Sequence, residues 1–210
     1  MEQDWLGIYS PDYDLLPYDN LLVTLSYYLG KKKKLLSTAR NGLLSWYVLA
    51  AYFGRYSTSS EARLNEDLSI ITEGKGYEEL INKLVKREGN LKASIKEDIS
   101  NGDYSKLLLY VLLRRNQSRD LISDGLLDSR DVSLHHIFPS GLLTENEDDI
   151  GNLTLTTLGT NNHLRATKPI DYLPGLSPDT RKQHLINKYD EFLEKRRELL
   201  RQAVEDLLVF

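Results

Sequence analysis

Two adjacent histidines, His135 and His136, stand in the segment whose residue types best suit metal-assisted hydrolysis. Neutral imidazole nitrogens and amide oxygens can hold a divalent cation, and an imidazole can take a proton from water near neutral pH. A cation beside a phosphodiester stabilises the charge that develops on the phosphate and on the leaving oxygen. Because side chains alternate along an extended chain, one histidine is expected to bind metal while the other faces the attacking water.

The segment 131–169 is predicted to position these histidines in a strand–loop–strand–helix unit. The apolar residues before Pro139 favour a first strand, and Pro139 marks a turn. The run IGNLTLTTL alternates and is rich in Thr and Leu, which is typical of a second strand. Thr160 is predicted to be the N-cap of a short helix that Pro169 ends. The pattern therefore predicts a ββα unit.

This segment resembles a known family in the order of its short motifs. His-His-Ile-Phe-Pro, then Gly-Asn-Leu-Thr-Leu, then Asn before Lys-Pro, is similar to the core of the ββα-metal, or HNH, endonucleases. More narrowly, residues 131–173 resemble the C-terminal HNH domain of GmrSD-like type IV restriction proteins. Residues 43–72 resemble, more loosely, the helical segment that precedes that domain. The resemblance implies a mainly α fold, a helical platform with a small ββα-metal (HNH) motif near the C-terminus.

The resemblance also implies a role for each residue of the motif. His136 matches the general base, and Asn152 matches the middle Asn that orients the loop and the base. Asn161 matches a metal ligand, and His163 competes for that role because the register is open by a residue or two. His135 occupies the position of the other metal ligand, where the family usually has Asp or Glu.

The function expected from this resemblance is that of a metal-dependent DNA endonuclease acting in restriction or phage defence. Its cofactor would be Mg²⁺, with Mn²⁺ as the alternative, and its partner would be DNA, including modified phage DNA. An imidazole with an ordinary pKa of about 6.5 is mostly neutral at pH 7 to 8. Activity is therefore expected to fall below about pH 6. Arg165 and Lys168 are expected to contact DNA phosphates, the alternative being a solvated face.

Two other functions remain open on the sequence alone. Because His135 departs from the usual acidic ligand, the chain could be a catalytically weakened module that binds DNA or a partner. Alternatively, its helices could serve a structural role beside another domain. The resemblance implies a partner domain of this kind, an N-terminal NTPase-like, modification-sensing domain that is absent from this sequence. The chain is then expected to be the C-terminal part of a longer protein.

Composition bounds the class of protein. The 210 residues are 40% apolar and 28% charged, which is typical of globular chains of one or two domains. No apolar run reaches the roughly 18 residues of a membrane span, and the acidic start, Met1 to Asp4, does not resemble a signal peptide. Zero cysteines exclude disulfides and Cys-based zinc sites. A cytoplasmic location and no membrane partner are expected.

The charge distribution is relevant to nucleic-acid binding. The net charge is −4 and the pI is near 5.6, whereas phosphate contacts usually need a basic surface. Between residues 161 and 201, however, nine Lys and Arg face six Asp and Glu. This local excess of three positive charges predicts a modest basic patch, which is too weak for tight binding alone.

Three regions are predicted: a helical region at 1–125, the nuclease core at 126–175, and C-terminal packing helices at 176–210 that form one compact unit with the helical region. Residues 1–17 are interpreted as a loop or arm. Lys31 to Lys34 are interpreted as a solvated helix connection, with a phosphate-binding loop as the alternative. Apolar periodicity predicts helices at 18–29, 41–55, 59–71, 76–88, 90–101, 104–114 and 186–208, and Ser177 is predicted to cap another.

Overall fold

The fold is mainly helical, as predicted, with one small sheet. The computed structural model describes residues 18–32, 36–97, 99, 105–127, 131–139, 141–143, 147–186 and 192–208. The helices are α1 Asp19–Lys31, α2 Ser37–Tyr52, α3 Ser60–Thr72, α4 Tyr77–Glu88, α5 Leu91–Glu97, α6 Ser105–Arg115, α7 Leu158–Leu164, α8 Pro169–Tyr172, α9 Pro178–Gln183 and α10 Phe192–Leu207. The strands are β1 Val132–His136 and β2 Leu153–Thr157. Within the described part of the chain, no helix combines the length and apolar character needed to cross a bilayer.

The described residues form two compact units. The first, called here the helical unit, comprises residues 18–108 together with 204–208. The second, called the site unit, comprises Leu109–Ala203. The boundaries predicted at 125 and 175 stay a prediction. The predicted arm at 1–17 lies outside the described residues, as do Lys33 and Lys34, the second half of the lysine run.

The helical unit is built around α2, whose apolar sequence leaves no hydrophilic face after its first turn. From Leu43 to Tyr52 every residue is buried. The helix ends earlier than the predicted residue 55 because Gly54 adopts a positive φ of 58° in the turn that follows. Behind this turn a buried ion pair joins Arg55 to both carboxylate oxygens of Asp67, at 2.7 and 3.1 Å.

The site unit contains the predicted ββα elements. Strands β1 and β2 pair antiparallel, with Val132 opposite Thr157 and His136 opposite Leu153. Helix α7 follows β2 with no intervening loop. Apolar side chains from the surrounding segments pack into one core beside the sheet, comprising Leu121, Ile137, Leu164, Leu173, Ile186 and Phe192. Ile137, directly after β1, and Leu164 of α7 thus share one core.

Two predicted helix boundaries in this unit are wrong. The N-cap of α7 is Thr157, whose hydroxyl accepts from the Thr160 backbone N–H, so Thr160 lies inside the helix. The helix ends at Leu164, and Pro169 instead begins α8, because its fixed φ suits the first turn of a helix. The predicted cap at Ser177 is confirmed, since its hydroxyl accepts from the Thr180 N–H.

Ile186, the first residue of the helix predicted at 186–208, does not lie in a helix. Leu185 has a positive φ of 53° and belongs to the turn that follows α9, where a right-handed helix cannot continue. The Ile186 N–H therefore turns back to the Arg181 carbonyl at 2.8 Å. Helix α10 is described from Phe192, and residues 187–191 of the predicted helix lie outside the described residues.

Candidate functional site

Strand β1 presents the two histidines to different environments, as its alternation predicts. His135 is buried, with 2% of its surface exposed, and lies opposite Thr154. The side chain of His136 is 39% exposed. A buried imidazole held by neighbours suits a ligand role, whereas an accessible one can meet a water molecule and a substrate.

His135 contacts Asn161 directly, across the strand–helix junction. Its Nδ1 lies 2.9 Å from the Asn161 side-chain oxygen. The Asn161 amide nitrogen donates to the Ser133 hydroxyl at 2.7 Å and to the Leu134 carbonyl at 3.2 Å, which fixes the orientation of the amide. The oxygen of Asn161 therefore points at His135, and the two residues predicted as metal ligands form a pair.

Tyr172 completes the surroundings of His135. Its hydroxyl donates to the Ile137 carbonyl at 3.1 Å and lies 3.3 Å from His135 Nε2. Because the hydroxyl proton is engaged with Ile137, the hydroxyl oxygen can accept from Nε2–H. A neutral His135 thus has an acceptor for its proton at either nitrogen, Asn161 at Nδ1 or Tyr172 at Nε2. When the proton lies on Nε2, Nδ1 carries an unshared electron pair beside the Asn161 oxygen.

This pair suits two neighbouring ligands of a divalent cation. Burial lowers the pKa of His135 below its ordinary value, against the opposing effect of the Asn161 hydrogen bond, which favours the neutral ring that a metal needs. Ligands at right angles on an ion with bonds of about 2.1 Å are about 3 Å apart, close to the 2.9 Å seen here. Among the described residues, no group of three His, Cys, Asp or Glu side chains forms a metal centre. His135 and Asn161 could therefore supply two protein ligands to a cation, and water and phosphate oxygens would have to supply the others.

His136 has an acidic neighbour that the sequence did not single out. Its Nε2 lies 3.1 Å from a carboxylate oxygen of Asp148. Asp148 belongs to the run of acidic residues before β2. The two residues are twelve positions apart, so no local sequence pattern predicts that they touch. The contact depends on the path of the chain between β1 and β2.

Asn152 holds that connection in place from within the core. It is fully buried, and its oxygen accepts from the Phe138 N–H at 2.8 Å. Its amide nitrogen donates to the Phe138 carbonyl at 3.2 Å and the Glu147 carbonyl at 2.8 Å. These bonds fix the backbone at Phe138, two residues after His136, and at Glu147, one residue before Asp148.

Two arginines of α10 also bind the segment that connects β1 to β2, at residues 149–151. Arg196 is fully buried and donates to the backbone carbonyls of Ile150 and Gly151, and burial lowers its pKa to about 9. Arg197 pairs with Asp149 at 2.7 Å. A side chain at Gly151 would approach the backbone of α10 at 3.2 Å, so glycine permits this close packing. The helix therefore supports the residues that flank Asn152.

Five of the seven predicted site residues line one cavity of about 600 Å³. They are His135, His136, Asn161, Arg165 and Lys168. The other two lie elsewhere: Asn152 is in the core behind the loop, and His163 is exposed on α7 and is not part of the lining. His184 also lies outside this cavity lining; it is buried between the Thr154 hydroxyl and the Arg119 carbonyl, and burial lowers its pKa to about 4.

Comparison with known proteins gives little to place this site in a family. The sequence matches no protein-family model, and no solved structure matches it. It is 35% identical over 77 residues to a subunit of the A-type ATP synthase of Pyrococcus furiosus. That match covers 35% of this chain and 20% of the ATP synthase protein, so the chain spans about a fifth of that protein's length.

Proposed function

We propose that the protein is a metal-dependent DNA endonuclease of the HNH type, the nuclease part of a restriction or phage-defence protein. One observation supports this best: an accessible histidine, a buried histidine paired with a half-buried asparagine, and two cationic side chains share one cavity, on a strand–strand–helix unit. The order of these residues is that of the HNH motif which the sequence resembles.

His136 is the general base in this proposal. It takes a proton from a water molecule, whose oxygen bonds to phosphorus while the bond between phosphorus and the 3′-oxygen breaks. The leaving 3′-oxygen then takes a proton from solvent. Asn152 acts at a distance, by fixing the backbone at Phe138 and so the end of β1 that carries His136.

His135 and Asn161 are the residues that would hold a divalent cation, Mg²⁺ or Mn²⁺. A cation bound there would offset the negative charge that develops on the phosphate and the 3′-oxygen. His135 meets the chemical requirement for a ligand because burial favours its neutral form. Asn161 meets it because its amide nitrogen is committed to Ser133 and Leu134, which leaves the oxygen facing the imidazole.

Arg165 and Lys168 are proposed to bind the phosphates that flank the cleaved bond. Both line the cavity that contains the histidines. Such contacts are electrostatic, so binding should weaken as salt rises. The choice of modified or phage DNA as substrate, and the partner NTPase-like domain, rest on the resemblance alone.

The test is nicking of supercoiled plasmid and of phage DNA with modified bases, by the purified chain with Mg²⁺ or Mn²⁺. We expect conversion of supercoiled to open-circular plasmid, and no conversion when EDTA removes the metal. Because a trace nuclease would also require metal, the His136 variant described below serves as the control for contamination. Intact DNA with both substrates and both metals would contradict the proposal.

A second candidate is a module that binds DNA or a partner without cleaving it. It is favoured by the ligand set, since the described cluster offers an imidazole and an amide but no carboxylate. Loss of the usual acidic ligand would weaken the hold on a hard cation such as Mg²⁺.

Titration calorimetry with Mn²⁺ separates the two candidates. The endonuclease is expected to bind Mn²⁺ at millimolar concentration or below, and His135→Ala and Asn161→Ala are each expected to weaken binding about 10-fold or more. His163→Ala is the matched control, because His163 lies outside the cavity lining. No binding by the parent protein favours the module, and a loss confined to His163→Ala would transfer the ligand role from Asn161 to His163.

A further inference from the structure

We infer that Asp148 is a positioning residue for His136, which fixes both the tautomer and the direction of its imidazole ring. The inference rests on the proposed function and adds a residue to it. Its basis is the 3.1 Å contact between His136 Nε2 and the Asp148 carboxylate. The Asp148 side chain is 77% exposed, so the contact is not imposed by core packing.

The contact determines which nitrogen of His136 is basic. A carboxylate only accepts hydrogen bonds, so the nitrogen that faces it must carry the proton. In the neutral ring Nε2 is then the donor and Nδ1 keeps the lone pair. Nδ1 is therefore the atom that can accept a proton from water. Without an acceptor at Nε2 the ring would divide between two tautomers and several orientations.

Hydrogen bonds and an ion pair fix the residues on both sides of Asp148, as a residue that positions His136 requires. The Glu147 carbonyl accepts from Asn152 at 2.8 Å. Asp149 accepts from Gly151 N–H at 2.7 Å and pairs with Arg197. Both neighbours of Asp148 are thus anchored to the core or to α10, and the carboxylate between them is placed against the imidazole.

The charged groups around His136 make this acidic partner distinctive. Arg165 and Lys168, which line the same cavity, are cationic, whereas the neighbouring His135 is buried in its neutral form. Asp148 supplies a negative charge beside Nε2, the nitrogen opposite the one assigned to water. Asn152 supports the loop but makes its bonds to Phe138 and Glu147 and not to the ring.

The first experiment measures the tautomer directly and needs no activity. Long-range ¹H–¹⁵N spectra of the full chain resolve the imidazole nitrogens of its four histidines, and His136→Ala assigns the signals of His136. At a pH where the ring is neutral, we expect the Nε2–H form in the parent. Asp148→Ala is expected to give a mixture of tautomers. Asp148→Asn keeps an oxygen that can accept from Nε2–H and is expected to retain most of the parent signal.

The second experiment compares nicking rates of the same variants. Asp148→Ala is expected to slow nicking about 10-fold or more, the effect typical of removing a group that orients a functional histidine. Asp148→Asn should recover part of the rate. Asp179→Ala, an exposed carboxylate on α9 in the same unit, should change neither the tautomer nor the rate.

The outcomes are distinct. An unchanged tautomer in Asp148→Ala overturns the inference, whatever the nicking rates. A changed tautomer with an unchanged rate overturns the positioning role. If the parent protein does not nick DNA, the proposed function fails, and the spectra alone decide whether Asp148 fixes the ring.

Discussion

Replacing His136 by alanine is expected to lower the rate of DNA nicking about 10²- to 10⁴-fold, the contribution typical of a general base. The side chain is 39% exposed, lies at the end of β1 and is not among the buried core residues. The unfolding transition and Mn²⁺ binding should therefore remain close to those of the parent. The measurement is the initial rate of plasmid nicking, beside circular dichroism and calorimetry of the same sample.

The matched control for this prediction is His163→Ala. His163 is an exposed histidine in the same unit, on α7, and it is not part of the cavity lining. Both variants are purified by the same procedure. A contaminating nuclease would then give the same nicking activity in both preparations. Full activity in His136→Ala would remove His136 as the base, and an equal loss in both variants would show that the assay reports something other than this site.

The parts of the site that could be predicted from sequence are those encoded by local pattern. The Thr and Leu alternation of β2 and the apolar residues of β1 predict the two strands, and a short polar segment after them predicts a helix. The motif order then brings His135 near Asn161, which is 26 residues away. The error at Thr160 has a simple cause: Thr157 is an equally good capping residue, and the chain passes from strand to helix without a loop.

The remaining residues could not be predicted because their roles depend on long-range contacts. Arg196 lies in the helix predicted at 186–208, but nothing in the local sequence shows that it binds the Ile150 and Gly151 carbonyls. Asp148 belongs to a run of acidic residues that looks solvated. Tyr172 reaches His135 only because α8 begins at Pro169 and turns the chain back toward β1.

Asp120 is the clearest example of a residue whose role depends on long-range contacts. It binds the segment that leads to Asn161, at Thr156, Thr157 and Thr160. It lies in a turn after α6 and is fully buried. One carboxylate oxygen accepts from the Thr156 hydroxyl at 2.6 Å and the Thr157 N–H at 2.7 Å. The other accepts from the Thr160 hydroxyl at 2.6 Å and the Ser123 N–H at 2.9 Å. A single side chain thus joins the end of β2 to the first turn of α7.

Asp120→Ala is expected to lower the free energy of unfolding by about 3–5 kcal/mol, because it leaves several buried donors without an acceptor. Such a loss is a large share of the roughly 5–15 kcal/mol that stabilises a typical domain. Asp120→Asn should lower the free energy of unfolding almost as much. Its amide NH₂ would replace one of the two oxygens and would face hydrogen-bond donors there. Urea unfolding followed by circular dichroism measures both, and Asp124→Asn is the control. Asp124 is exposed on the same turn at a φ of 53°, a conformation that Asn tolerates well.

The same residue predicts how stability changes with pH. Burial alone would raise the pKa of Asp120, but the hydrogen bonds from Thr156, Thr157 and Thr160 outweigh it and hold the pKa below the ordinary value of 3.8. The folded protein therefore binds fewer protons than the unfolded chain at acidic pH. This contribution is fully present above the unfolded pKa and is lost as pH falls through the lower folded value. The parent should lose stability more steeply than Asp120→Asn below about pH 4, and equal slopes would show that the Asp120 carboxylate does not hold β2 and α7 together.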